Sequence, residues 1–408
     1  MKPAALLPCA LLLLASASRA CLNDRDSLET EARGVPDVMR ALSGRFERNP
    51  PLFYEMRMQR VQAELKLTPS RLDLYDDIAV AADRLNRDDE ALSWIEKKRA
   101  LLQVLDAKKP EVHEQWYRYY ANAGTFRVHR WIARGADREQ LKEVKIARNL
   151  IAKAVTLKPG AHFGREKYQL KTMDWILYPP PPYTDADDKL PNILGLGNGG
   201  YIEDEGNAQL TKRGYADAER GLTGLITLGS AWQSIDVFNA LRYVEAWHAN
   251  SSVVYLLGLR LQEMARSGRT SLYPHSLSAP KLAQAFDPEK AQWFLGAHFD
   301  NGDGPKDMMA FYKSLRQEAD DWQARRTTFM LERLNAGRHP DTDPTFWNGW
   351  DDGAPPSLHS ANSSYWNSSD FLFDIAPRLL QAIVLCLPVA IMGVIVLWKM
   401  RRRRRKLA

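Results

Sequence analysis

Apolar positions recur at helical spacing along most of the chain, most regularly over residues 71–99. There Leu74, Ile78, Ala81, Ala82 and Leu85 fall on one face of a helix with a 3.6-residue period. A charged turn at residues 86–89 follows. Ala91, Leu92 and Ile95 then lay out the apolar face of a second helix. Ala79 and Ala91 are small enough for the two helices to approach closely, as an antiparallel hairpin with a short loop requires. The same period predicts a short helix over residues 37–46 and a longer one over 51–65 with Pro51 in its first turn. It also predicts a segment starting at 111–123 that carries Trp116, Tyr119 and Tyr120, a helix within 146–159, and another through Trp175.

The period breaks over residues 178–214. Four prolines at 179–182 predict extended polyproline II, and a glycine-rich stretch and a polar one follow. So long a segment without periodicity reads as a loop dividing two helical halves, 21–177 and 215–335. In the second half, Leu222, Leu225, Ile226 and Leu228, then Val237, Leu241 and Val244, predict two helices, and residues 252–265 a third. Residues 288–298 and 307–334 predict two more. Residues 336–378 are rich in Pro, Gly, Asn, Ser and Trp and read as a juxtamembrane stalk.

Two apolar runs have a different character. Residues 4–17 follow Lys2 and lead to Ser18-Arg19-Ala20, which predicts a signal peptide over 1–20. Residues 379–398 form a 20-residue run with one Gln and no charge, which predicts a transmembrane helix. Lys399, Arg401, Arg402, Arg403, Arg404, Arg405 and Lys406 follow it, and the excess of positive charge assigns the tail 399–408 to the cytoplasm. The expectation is a single-pass membrane protein whose N-terminal domain lies on the periplasmic side of an inner membrane. Cys21 would be the first mature residue. The preceding Ser18-Arg19-Ala20 departs from the usual lipidation signal, and the exported part holds no second cysteine for a disulfide.

With 408 residues, 45% of them hydrophobic and 26% charged, the chain is globular and long enough for more than one core. Its formal charge of +6 comes from the tail and the first 20 residues; the remainder carries −3, which argues against nucleic acid as a partner.

Candidate chemistry is sparse. Gly195-x-Gly197-x-x-Gly200 matches a dinucleotide-binding fingerprint in letters, but it follows a proline run and leads into carboxylates that repel phosphate. His339–Asp343 (HPDTD) and the stretch around His298 and Asp300 are His/Asp turns of ordinary loop composition. Asp76–Asp77 and Asp88–Asp89 read as solvated carboxylate pairs. No HExxH or GxSxG pattern occurs. The sequence therefore assigns no catalytic, cofactor-binding or metal-binding residue and no cofactor.

Tyr75-x-x-Ile78-Ala79 and Ala91-x-x-x-Ile95 stand at the spacing of a tetratricopeptide (TPR) repeat, as do Ala147-x-x-x-Ile151, Ala154 and Pro159, with Trp131 and Gly135 ahead of them. The chain resembles that superfamily, as a membrane-anchored branch of the bacterial envelope. Ala82 and Gln103 depart from the pattern, where an aromatic and a proline are usual. The resemblance implies an all-α solenoid of helical hairpins outside the membrane plus one C-terminal transmembrane helix. Tyr75, Ile78, Ala79, Ala82, Ala91 and Ile95 would be its repeat-packing residues. It further implies a non-catalytic scaffold that binds a protein partner through the repeats. The alternative is an envelope enzyme with its catalytic region in 215–335.

Overall fold

The computed structural model describes residues 22–27, 37–184, 190–197, 203–229, 231–288 and 305–358. Helices form where the apolar period is strongest. The first seven are α1 (Val38–Ser43), α2 (Pro51–Leu67), α3 (Leu72–Arg84), α4 (Asp88–Leu102), α5 (Pro110–Ala133), α6 (Lys142–Leu157) and α7 (Arg165–Leu177). Proline opens α2 and α5, where a missing N–H costs nothing. The turn from α3 to α4 closes through Asn86, whose φ of 62° is tolerated by its short polar side chain. Arg87 N then donates to the Ala82 carbonyl at 2.9 Å.

Consecutive helices from α2 to α7 pack on one another, and α3 also touches α5. Tyr75, Ile78, Ala79, Ala82, Ala91 and Ile95 all lie in one buried cluster with Phe53 and Met58 of α2 and Phe126 of α5. The α5–α6 hairpin is closest at Gly124, where a Cβ would come within 2.8 Å of the Ile151 side chain.

Residues 178–214, read from sequence as a loop, contain α8 (Glu203–Lys212). After it come α9 (Ala218–Gly224), a π turn (Leu225–Gly229), a 3-10 turn (Ala231–Gln233), α10 (Ile235–Trp247), α11 (Ser251–Arg266), α12 (Ala279–Ala285) and α13 (Pro305–Asn335). The two halves are not held apart. α9 packs on α7, with Gly221 set directly against the Tyr168 ring. Arg84 of α3 also donates to the carbonyls of Gly229 and Leu228 at 3.0 and 3.1 Å. Residues 339–352 fold back: His339 stacks on Phe53 of α2, Phe346 is buried against Phe329 of α13, and Trp322 Nε1 donates to Asp352 at 3.1 Å.

The chain divides into two units, Met1–His298 with Asp307–Pro355, and Phe299–Lys306 with Pro356–Ala408. The hairpin array and the residues packed on it belong to the first.

The expected architecture requires a correction. Among the described residues no helix is long and apolar enough to cross a membrane, so an all-α solenoid with a transmembrane helix, and the single-pass location drawn from it, do not stand. The longest helix, α13, carries charge throughout: Lys313, Arg316, Asp320, Asp321, Arg325 and Glu332 interrupt any apolar run. The run 379–398, the tail from Lys399 to Lys406, the signal segment and Cys21 lie outside the described residues.

Candidate functional site

The inner face of the array is polar yet buried. α3 contributes Asp76, Asp77 and Asp83; α5 contributes Asn122, Thr125 and His129; α7 contributes Arg165, Glu166 and Gln169. None of the nine is more than 3% exposed. On α5 the spacing of three and four residues places Asn122, Thr125 and His129 in one stripe. Buried polar groups persist only with partners, and the partners here are internal. His129 Nδ1 lies 2.8 Å from Asp83 Oδ1, Gln169 Nε2 donates to Thr125 Oγ1 at 2.9 Å, and Tyr117 Oη donates to Glu166 at 3.0 Å.

Across this face runs the chain's own segment 22–27. It meets the helices in order. The Leu22 carbonyl accepts from Arg165 Nη2 of α7 at 3.1 Å. Asn23 N donates to Asn122 Oδ1 of α5 at 2.8 Å, and Asn122 Nδ2 returns a bond to the Asn23 carbonyl at 2.9 Å. Arg25 donates to Asp77 of α3 from its backbone at 3.2 Å and from Nε at 2.7 Å. Asp26 accepts two bonds from Arg57 of α2, at 2.8 and 2.7 Å. Five consecutive residues thus span four helices.

Charge is concentrated at the α2 end. Arg57, fully buried, also gives Asp341 two bonds, at 2.8 and 2.6 Å. Burial alone would lower its pKa, but Asp26 and Asp341 outweigh that and raise it well above the ordinary value. Asp24 turns its carboxylate back onto Ser27, accepting from N at 3.0 Å and Oγ at 2.9 Å. Burial first, and then Asp26, push the Asp24 carboxyl up to about 6, against the pull of Arg57. Lys98 of α4 pairs with Asp76, and Asn122 Nδ2 also reaches Asp76, at 3.1 Å. In that pair desolvation pushes the acid up and the amine down, and their mutual attraction opposes it.

Of the residues singled out in sequence, Asp76 and Asp77 lie in this face, buried rather than solvated, and the others fall elsewhere. His339 stacks on Phe53 with ring centroids 4.6 Å apart. Its Nε2 lies 3.0 Å from the Phe53 carbonyl, and its Nδ1 accepts from Asp341 N at 3.1 Å. Burial holds its pKa below the ordinary value, so it is a neutral packing residue with both nitrogens engaged rather than a base or a metal ligand. His298 and Asp300 lie outside the described residues. Gly195 and Gly197 sit in a loop braced by Asn192, whose Oδ1 accepts from Leu194 N and Leu196 N, both at 3.1 Å. Among the described residues no strand precedes that loop, and Gly200 is outside them. Asp89 is exposed and pairs with Arg130 and Arg134.

Sequence reasoning missed the groove because Asp76–Asp77 looks like any solvated acidic pair. The available signal was the polar stripe on α5: Asn122, Thr125 and His129 at helical spacing in a run whose other residues, Arg127 apart, are apolar or small.

These observations define a class of protein: among the described residues, an all-helical array of antiparallel hairpins that holds a short segment, Leu22–Asp24 leading into a helical turn at Arg25–Ser27, against a polar inner face. No family model, curated protein or solved structure matches the chain.

Proposed function

We propose that the protein is a non-catalytic scaffold of the tetratricopeptide kind that binds a short segment of a protein partner along α3, α5 and α7. The observation that carries this reading is the reciprocal pair of bonds between the Asn122 side chain and the main chain of Asn23. An amide side chain that gives and takes one bond each recognises any backbone, whatever its side chains. The Arg165 bond to the Leu22 carbonyl adds a second main-chain contact. The same donors and acceptors can hold a partner's segment in place of residues 22–27. Arg57 and Asp77 favour an acidic residue and a basic residue on that segment, placed as Asp26 and Arg25 are here.

The test is binding in trans. A chain lacking residues 1–27 is titrated with a labelled peptide of residues 22–27 and followed by fluorescence anisotropy. The peptide is expected to bind, and Asn122→Ala or methylation of the Asn23 amide nitrogen to weaken binding by about tenfold or more, since each removes a buried hydrogen bond. A folded truncated chain that ignores the peptide, or binding indifferent to Asn122, would overturn the reading.

A further inference from the structure

Away from the groove, three side chains with metal-ligand chemistry converge where α9 meets the C-terminal end of α10. Glu219 lies in the first turn of α9. Glu245 is in the last turn of α10, and His248 caps that helix three residues later. One ligand atom from each falls within 4.8 Å of the other two. His248 Nδ1 is 3.7 Å from Glu219 Oε2 and 3.8 Å from Glu245 Oε1. The spacing of three puts Glu245 and His248 on one side of α10, and Glu219 completes the set from the facing helix.

Glu245 sets this apart from an ordinary acidic patch. It is 1% exposed. Its Oε2 accepts from Asn250 Nδ2 at 3.1 Å, whereas its buried Oε1 has no hydrogen-bond donor and faces Glu219 and His248. A buried carboxylate oxygen without a donor is costly unless a cation serves it. Among the described residues no lysine or arginine lies within ion-pair distance of either carboxylate; His248 is the one basic group that near, and Arg220 acts on Glu219 only from farther off. The backbone holds this geometry. Ala249 takes φ 56°, Asn250 N bonds back to the Glu245 carbonyl at 3.0 Å, and Asn250 thereby also orients the carboxylate from behind. A cavity of about 470 Å³, lined by Gly214, Asp217, Glu219, Arg220 and His248, opens onto the cluster.

We propose that Glu219, Glu245 and His248 form a mononuclear site for a divalent first-row transition metal, with water completing its coordination from the cavity side. One imidazole with two carboxylates suits zinc, manganese, iron(II) or cobalt(II), whereas magnesium and calcium prefer oxygen alone. Bonds of about 2.1 Å place ligand atoms about 3.4 Å apart around a tetrahedral ion. His248 Nδ1 is within about half an ångström of that spacing from each carboxylate, and the part-exposed Glu219 and His248 side chains, 37% and 22% exposed, are free to close the rest.

The experiment uses the full-length protein, stripped with chelator and titrated with Co²⁺ under visible absorption and with Zn²⁺, Mn²⁺, Mg²⁺ and Ca²⁺ by calorimetry. One equivalent of Co²⁺ or Zn²⁺ per chain is expected. His248→Ala and Glu245→Gln are each expected to weaken it by about tenfold or more, as loss of one ligand does. Because Glu245 is buried, its variant is first checked for native helicity by circular dichroism. If Glu245→Gln does not fold, the part-exposed His248→Ala decides between the outcomes. His113→Ala, which removes an exposed histidine on α5, is expected to leave binding intact. No stoichiometric binding, Ca²⁺ or Mg²⁺ binding as tightly as Zn²⁺, or affinity unchanged in His248→Ala would each overturn the assignment.

Discussion

At the scale of residues, the fold rests on charges taken out of water and satisfied by position. Arg57 compensates Asp26 and Asp341 directly and lies 3.5 Å from Asp24. Arg57→Met is expected to destabilise the protein by about 3–5 kcal/mol, because it takes the guanidinium away from buried Asp24 and strips two hydrogen bonds from Asp341; a denaturant curve shifted by less than about 1 kcal/mol would contradict this account. Asp236 is the opposite case. It is buried with only Ser271 Oγ and the Leu272 N–H as partners, and burial pushes it up to about 6 despite both bonds. The folded chain then holds a proton that the unfolded chain releases near 4. Asp236 therefore favours folding most below about pH 4, and that contribution is lost as pH rises through about 6, by on the order of 2–3 kcal/mol. Asp236→Asn should flatten the slope of stability against pH in that window, as measured by thermal melts at fixed ionic strength. None of this was legible in sequence. Lys98 stands 22 residues from Asp76, and Asp341 stands 284 from Arg57. A charge announces its partner only when the two share a helix turn.

At the scale of elements, the sequence was a better guide where a helix is held by its apolar face. The period predicts a helix over 51–65 and α2 runs Pro51–Leu67; the two-helix reading of 71–99 corresponds to α3 and α4. α8 was missed for a physical reason. Of its residues only Gly206 and Leu210 are buried, so it has almost no hydrophobic pattern to read. Its docking depends on close backbone approach, since a Cβ on Gly206 would fall 1.6 Å from the Trp247 carbonyl oxygen. Gly206→Val should displace α8, seen as faster amide exchange over residues 203–212, while the α3–α4 hairpin keeps its protection. Conversely, Ala91→Trp inserts a large ring at a fully buried hairpin contact. It should cost about 1–3 kcal/mol in a melting experiment, and a curve superimposable on the parent would remove the packing role given to that alanine.

At the scale of the whole molecule, arrays of hairpins are ordinarily open-ended, because each hairpin touches only its neighbours and copies can be added or removed. This chain has given up that freedom. Residues 22–27 meet α7, α5, α3 and α2 in turn, and each residue advances the chain by at most about 3.6 Å. One further inner helix placed between two of these contacts would add roughly 10 Å between anchors that stand only one or two residues apart, more than those residues can span. The far end is fastened too, since Arg57 ties Asp26 to Asp341. Duplication of a hairpin, the usual route by which such folds evolve in length, would therefore break the thread rather than extend the array. Descent from this chain is expected to vary the loops and the outer helix faces while the number of hairpins stays fixed.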